Sequence, residues 1–272
     1  MKKAWIAAYT AALSTLGTAN AIPIVSSASG DNPAAISSTV DAYRMSLGVL
    51  NPNTVGSLGS GRREINWDGV PDAFSAPNNL PANFFNVNSP RGAVFSTPGS
   101  GFQVSAAIGN ATGTAVEFGN LNASYPALFA TFSAQRLFTA LGSTVTDVNF
   151  FIPGSTIPAT VSGFGAVFTD VDLPNVSSLQ FFDQSNASLG IFYVPPTVGR
   201  NEALSFVGVL FTAERISRVR ITAGNQSLTD SGFGDVVAMD DFIYAEPIPE
   251  PQTLALLLAG LGIVGFAVRR AK

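Results

Sequence analysis

The 272-residue chain contains no cysteine and no histidine. Without cysteine there is no disulfide scaffold, although an exported protein could have formed one. Without either residue there is no Cys-His or Ser-His-Asp apparatus and no zinc site of the usual ligand types. Carboxylate-pair chemistry of the glycosidase kind survives that elimination, but no spacing of acids in the chain supports it. Lysine is missing from the interior: Lys2, Lys3 and Lys272 lie at the two ends, and Arg269 and Arg270 stand beside the last of them. The body between, Ile22 to Ile248, therefore holds nine arginines, no lysine and seventeen acidic residues, for a net charge of −8. Such an acidic body argues against nucleic acid and anionic lipid headgroups as partners. No internal repeat of fixed period is present, which argues against a propeller or solenoid.

What is present is most legible at the ends. Lys2-Lys3 form a positive n-region, Ala4 to Leu16 an apolar stretch, and Ala19-Asn20-Ala21 a small-x-small cleavage site. Residues 1–21 are thus a cleavable signal peptide, which makes the secretion translocon and a signal peptidase partners and Ile22 the first mature residue. At the other end lie Pro249-Glu250-Pro251, then an uncharged run from Leu254 to Val268, then Arg269, Arg270 and Lys272. Each proline removes a backbone donor and disfavours helix in the residue before it, so Glu250 is held extended. As a single transmembrane helix, residues 254–268 would rise about 22 Å against a hydrocarbon core of about 30 Å. That is short for a permanent span and suits temporary retention in the inner membrane. The basic cluster acts as the membrane stop and places the C-terminus on the cytoplasmic side.

These three pieces, in this order, resemble the PEP-CTERM sorting signal of bacterial exported proteins. The resemblance covers about residues 248–272. It implies recognition by an exosortase, a membrane-embedded protease-transpeptidase that processes the tail near Pro249-Glu250-Pro251. It also implies an itinerary: export across the inner membrane, transient anchoring by the C-terminal helix, then the cell surface or extracellular matrix. Association with exopolysaccharide and biofilm follows from the same resemblance.

The body, residues 22–247, is long enough for one all-β domain with a sizeable core. Asn32 as N-cap, Pro33 behind it and Ile36, Val40, Tyr43 and Leu47 at helical spacing predict one short N-terminal helix over about 33–47, stopped by Gly48. The prolines and asparagines of residues 71–98 predict a long loop pinned by Phe84 and Phe85. Beyond it, β-branched and aromatic runs about ten residues apart with turn residues between predict an all-β sandwich or barrel. Residues 115–118 and 127–133 are among the predicted strands. From Ser162 to Tyr244 the chain is similar to the jelly-roll bodies of PEP-CTERM and lectin-like extracellular proteins. The expected fold is therefore a jelly-roll-like β-sandwich.

Two candidate sites stand out in the body. Trp67 beside Asp68 offers an aromatic face and a carboxylate, the elements of a sugar-binding platform. The plainer reading of that stretch is a strand with a buried Trp67 and a surface pair of Arg63 with Glu64. The jelly-roll resemblance also implies a calcium site in which an acidic pair on the last strand, Asp240 and Asp241, meets Asp170 and Asp172. The last two lie two apart and would share one side of an extended strand, and hard oxygen ligands suit Ca²⁺. Asp240 and Asp241 point to opposite faces unless a bulge brings them together. The chain is accordingly read as a non-catalytic exported surface or matrix protein. The alternative is a carbohydrate-binding, lectin-like module or, less favoured, a glycan-acting enzyme.

Overall fold

The glycine-containing apolar runs of the second half become the middle strands of a sheet. The computed structural model describes residues 22–212 and 215–249, and the signal peptide, Glu250, Pro251 and the apolar run 254–268 lie outside them. Among the described residues no helix is long and apolar enough to cross a membrane. The larger sheet runs β1 (Ile24–Gly30), β11 (Leu204–Leu210), β8 (Gly163–Thr169), β13 (Ala238–Ala245), β5 (Phe138–Leu141) and β4 (Gly101–Val104), and β2 (Arg62–Ile65) also pairs with β13. The second sheet runs β10 (Ser188–Tyr193), β9 (Ser178–Phe182), β12 (Arg218–Thr222), β6 (Val145–Phe150) and β3 (Ala93–Ser96). A two-stranded ladder joins β14 (Ile248–Pro249) to β7 (Ala159–Thr160). The protein is mostly β, and its two main sheets pack in a sandwich-like arrangement.

Alternation sets which face of each strand is buried. On β12, Val219 and Ile221 turn inward, while Arg218 and Arg220 turn outward and share Asp147 of β6, at 3.0 and 2.8 Å. Between the sheets, Phe150 of β6 meets Phe164 of β8 and Tyr244 of β13. Strands β8 and β13 are buried on both faces because a helix covers the outer side of their sheet. That helix, α1 (Pro33–Leu47), starts at Asn32, whose side chain accepts from the Ala35 N–H, and buries Ile36, Val40, Tyr43 and Leu47.

The glycines of β8 and β11 make room for it. Gly165 and Gly208 pair across the ladder. A Cβ on either would lie 2.9 Å from a ring carbon of Tyr43, so the Tyr43 ring rests directly on bare backbone. Its hydroxyl donates to the Val209 carbonyl at 3.1 Å.

Two predicted strands are corrected. Residues 115–118 hold only an isolated bridge from Val116 to Ala106 before a turn begins at Glu117, because Glu117 and Phe118 both take positive φ, 48° and 61°, which ends extended structure. Residues 127–133 follow a 3₁₀ turn at Tyr125–Ala127 and run as loop. Their aromatic side chains are buried without being strand: Phe118, Tyr125 and Phe129 form a second apolar cluster with Leu137 and Leu228. The long loop of 71–98 carries a short helix, α2 (Phe84–Val87), and ends in β3.

Candidate functional site

The side chains singled out by the sequence fall into two groups, and neither is assembled as predicted. Strand β13 carries a bulge: Met239 pairs with Phe168 and Phe242 with Ala166, so one extra residue sits between them. The bulge turns both Asp240 and Asp241 toward Ser133, whose hydroxyl lies 3.3 Å from Asp240 Oδ1 and 2.8 Å from Asp241 Oδ1. The Asp240 carboxylate also accepts from the backbone N–H groups of Phe132 and Ser133, at 2.6 and 3.2 Å. Asp241 accepts from Arg44 at 2.9 Å, and Arg44 reaches on to Glu64. Burial pushes the Asp240 carboxyl well above the usual carboxylate range, with Asp241 adding to it. Burial likewise raises Asp241 to about 6, against the opposing pull of the Ser133 hydroxyl and Arg44. This pair caps the loop that leads into β5.

Trp67 is part of the same construction. Its φ is +64°, which turns the ring inward directly after β2. Only 1% of the residue is exposed. The ring stacks on Phe138 with centroids 4.1 Å apart, and its N–H donates to the Asp240 carbonyl at 2.8 Å. A ring this deeply buried offers no platform to a sugar, which corrects that expectation. A cleft of about 290 Å³ is lined by Asn66, Phe84, Asn88 and Arg91 together with Trp67, of which almost no surface is exposed to it. Asp68 is half-buried, and its Oδ1 accepts from the backbone N–H groups of Gln135 and Arg136.

The calcium ligands are also separated. The strand β8 ends at Thr169, and Asp170 takes a φ of +66°, so Asp170 and Asp172 do not share the side of an extended strand. They lie instead with Asp235, which accepts from the backbone N–H groups of Asp172 and Leu173. Burial, then Asp172 and Asp235, raise the Asp170 carboxyl to about 7. Among the described residues no three acidic side chains are placed to hold a metal ion. The set Asp170, Asp172, Asp240 and Asp241 is corrected accordingly: the first two sit at the end of β8, and the last two are occupied by Ser133 and Arg44.

Sequence reasoning missed the most deeply buried charge pair. Arg63 faces inward and pairs with Glu246, the residue after β13, and both side chains are buried, 0% and 1% exposed. The predicted Arg63–Glu64 pair does not form, because neighbours on a strand point to opposite faces. Glu64 turns outward to Arg62 and Arg44. Glu246 is held further by Asn51 Nδ2 at 2.8 Å and the Leu58 N–H at 3.0 Å. Three residues later the chain has reached Pro249, paired with Ala159. The folded body is therefore fastened at Glu246 and ends against the first proline of Pro249-Glu250-Pro251.

The other residues named from the ends, Ala19 and Ala21, Glu250 and Pro251, and Arg269, Arg270 and Lys272, lie outside the described residues. The comparison with known families bears on that C-terminal stretch. Residues 247–271 match the family model described as the PEP-CTERM protein-sorting motif. No curated protein and no solved structure matches the chain. Directly behind its β body the chain carries a PEP-CTERM protein-sorting motif, which implies an exported protein targeted to an exosortase, with a membrane-anchoring sorting signal at its C-terminal end.

Proposed function

We propose that the body is a non-catalytic, jelly-roll-like passenger of this signal. In this reading it is retained briefly in the inner membrane, released by an exosortase and delivered to the cell surface or matrix, in association with exopolysaccharide or biofilm. The observation that carries the proposal is the sorting motif at 247–271, starting one residue after the buried anchor Glu246. With that anchor upstream, removal of the tail leaves every strand of the two main sheets attached.

The non-catalytic part rests on chemistry. The chain has neither histidine nor cysteine, and the buried carboxylates of β13 are hydrogen-bonded to the loop they cap. The carbohydrate-binding alternative loses its platform with Trp67 in the core.

The test compares cells with and without an exosortase. The protein leaves the inner membrane in the first and stays there in the second, and the same location in both overturns the proposal. A deletion strain complemented with Asp68→Asn or Asp241→Asn separates passenger from enzyme. Folded variants that restore the matrix support a passenger, and folded variants that fail to restore it contradict one.

A further inference from the structure

Four segments meet at the end of the sandwich where the chain leaves for its sorting signal. They are residues 48–61, 86–92, 151–158 and 246–249. Glu246 is bonded to Asn51 and Leu58. The Gly56 N–H donates to the Pro153 carbonyl at 2.8 Å, and Arg63 joins Pro52 to Pro90. Asn86 accepts from Gly154 and donates to Ser155. These bonds make the four loops one contiguous surface.

That surface carries several exposed apolar side chains. Val49, Leu50, Val55, Leu58, Val87 and Ile157 are 46% to 74% exposed on it. Ile24, which starts β1 opposite Leu210, adds another exposed apolar side chain at the same end. An exposed apolar patch of this kind marks a protein or membrane contact.

The charge distribution says which. No Asp or Glu occurs in residues 42–63, 73–116 or 148–169. The one acid of the four loops, Glu246, is buried against Arg63. Asp183, at the neighbouring β9–β10 turn, has its Oδ1 occupied by three donors from Ser185 and Ala187. At the far end of β8, by contrast, Asp170, Asp172 and Asp235 cluster, with Glu202 and Asp230 on the loops around them. Among the described residues the acids gather at one end of the body and none stands free at the other, while Glu214 and Glu250 lie outside the described residues; acids are what an anionic lipid surface repels.

Chain length fixes the geometry. Seven residues, and so eight Cα–Cα steps, separate Glu246 from Leu254, where the apolar run begins. Fully extended they reach about 28 Å, little more than the seven residues of β8 span at about 23 Å. The body therefore cannot drift from a bilayer that holds residues 254–268, and the end it presents is the one from which it exits.

We propose that this exit end is a membrane-docking face. Val49, Leu50, Val55 and Leu58 settle into the headgroup region of the bilayer in which the sorting signal is lodged, so that the body meets the exosortase in a fixed orientation. The inference rests on the membrane-anchoring reading of the tail.

Because the chain has no cysteine, single labels report cleanly on it. The full chain, reconstituted in phosphatidylcholine vesicles, would carry one nitroxide in each of Val55→Cys, Leu58→Cys, Phe233→Cys and Ile263→Cys. Phe233 is an exposed apolar residue at the opposite, acidic end. The expected result is that labels at 55 and 58 lose collisions with a water-soluble nickel chelate several-fold relative to the label at 233, while 263 collides with oxygen as a lipid-buried site does. Labels at 55 and 58 as open to nickel as 233, with 263 still buried, overturn the docking face alone. A label at 263 open to nickel overturns the tail reading and the docking face with it. Leu58→Asp in the Val55→Cys chain should restore nickel access at 55, and unchanged shielding there contradicts an apolar contact.

Discussion

Arg63 and Glu246 face each other with no exposed side-chain surface to speak of, Nε to Oε2 at 2.6 Å and Nη2 to Oε1 at 2.8 Å. Arg63 also donates to the carbonyls of Pro52 and Pro90. One guanidinium thus gathers two loops, and one carboxylate ties the end of β13 to them. Removing one partner strands the other charge in the core, which costs about 3–5 kcal/mol. Arg63→Ala and Glu246→Ala are each expected to lower folding stability by that amount in urea titrations. A loss under about 1 kcal/mol would mean water reaches the pair.

Trp67→Ala separates a core residue from a binding residue. Its ring is stacked on Phe138 and packed edge-on against Phe85 and Phe242, so truncation should cost about 3–5 kcal/mol. A variant as stable as the parent would contradict the buried placement.

The contact of Tyr43 with the glycine floor predicts a coupled pair. Gly208→Ala puts a methyl group against the ring and should destabilise by about 1–3 kcal/mol. In a Tyr43→Ala background the same change should cost less, since of the two rings the methyl group meets only that of Phe206 remains. Additive effects in the double variant would rule out the contact as the reason for glycine.

Asp170 gives stability a pH dependence. Its folded-state value of about 7 lies above the ordinary carboxylate value it regains on unfolding. Between those values the folded form binds more protons than the unfolded form, so this residue makes stability fall as pH rises from about 4 to about 7. Its Oδ1 is buried without a hydrogen-bond partner. Asp170→Asn should raise the thermal midpoint at pH 8 and flatten its slope across that window. An equal midpoint for both proteins at pH 8 would contradict the raised value.

The sequence made α1 visible because its signals are local: an Asn32 cap, Pro33 behind it and four apolar residues at helical spacing. The same holds for β8, β11 and β13, whose apolar runs are bounded by turn residues. The sequence neighbour of Arg63 is Glu64, but its true partner lies 183 residues away. No local pattern reports a pair closed by strand register. The strand β1 went unnoticed because Ile24–Gly30 is mostly serine, alanine and glycine, and it forms at an edge, where pairing with β11 decides the outcome. Residues 127–133 misled in the opposite sense. Their aromatics are apolar enough for a strand, yet they are buried by the turn geometry around Tyr125. The aspartates of the predicted calcium site shared a spacing argument that failed at Asp170, where a single positive φ ends the strand.

The folded body is fastened at Glu246 and followed without a spacer by the sorting signal. Intact mass spectrometry of the protein recovered from exosortase-containing cells tests it most directly. The predicted product begins at Ile22, retains Glu246, and has lost the run from Leu254 to Val268, whereas cells lacking the enzyme keep that run. A chain of full mass in both cells, with both ends uncleaved, would contradict it.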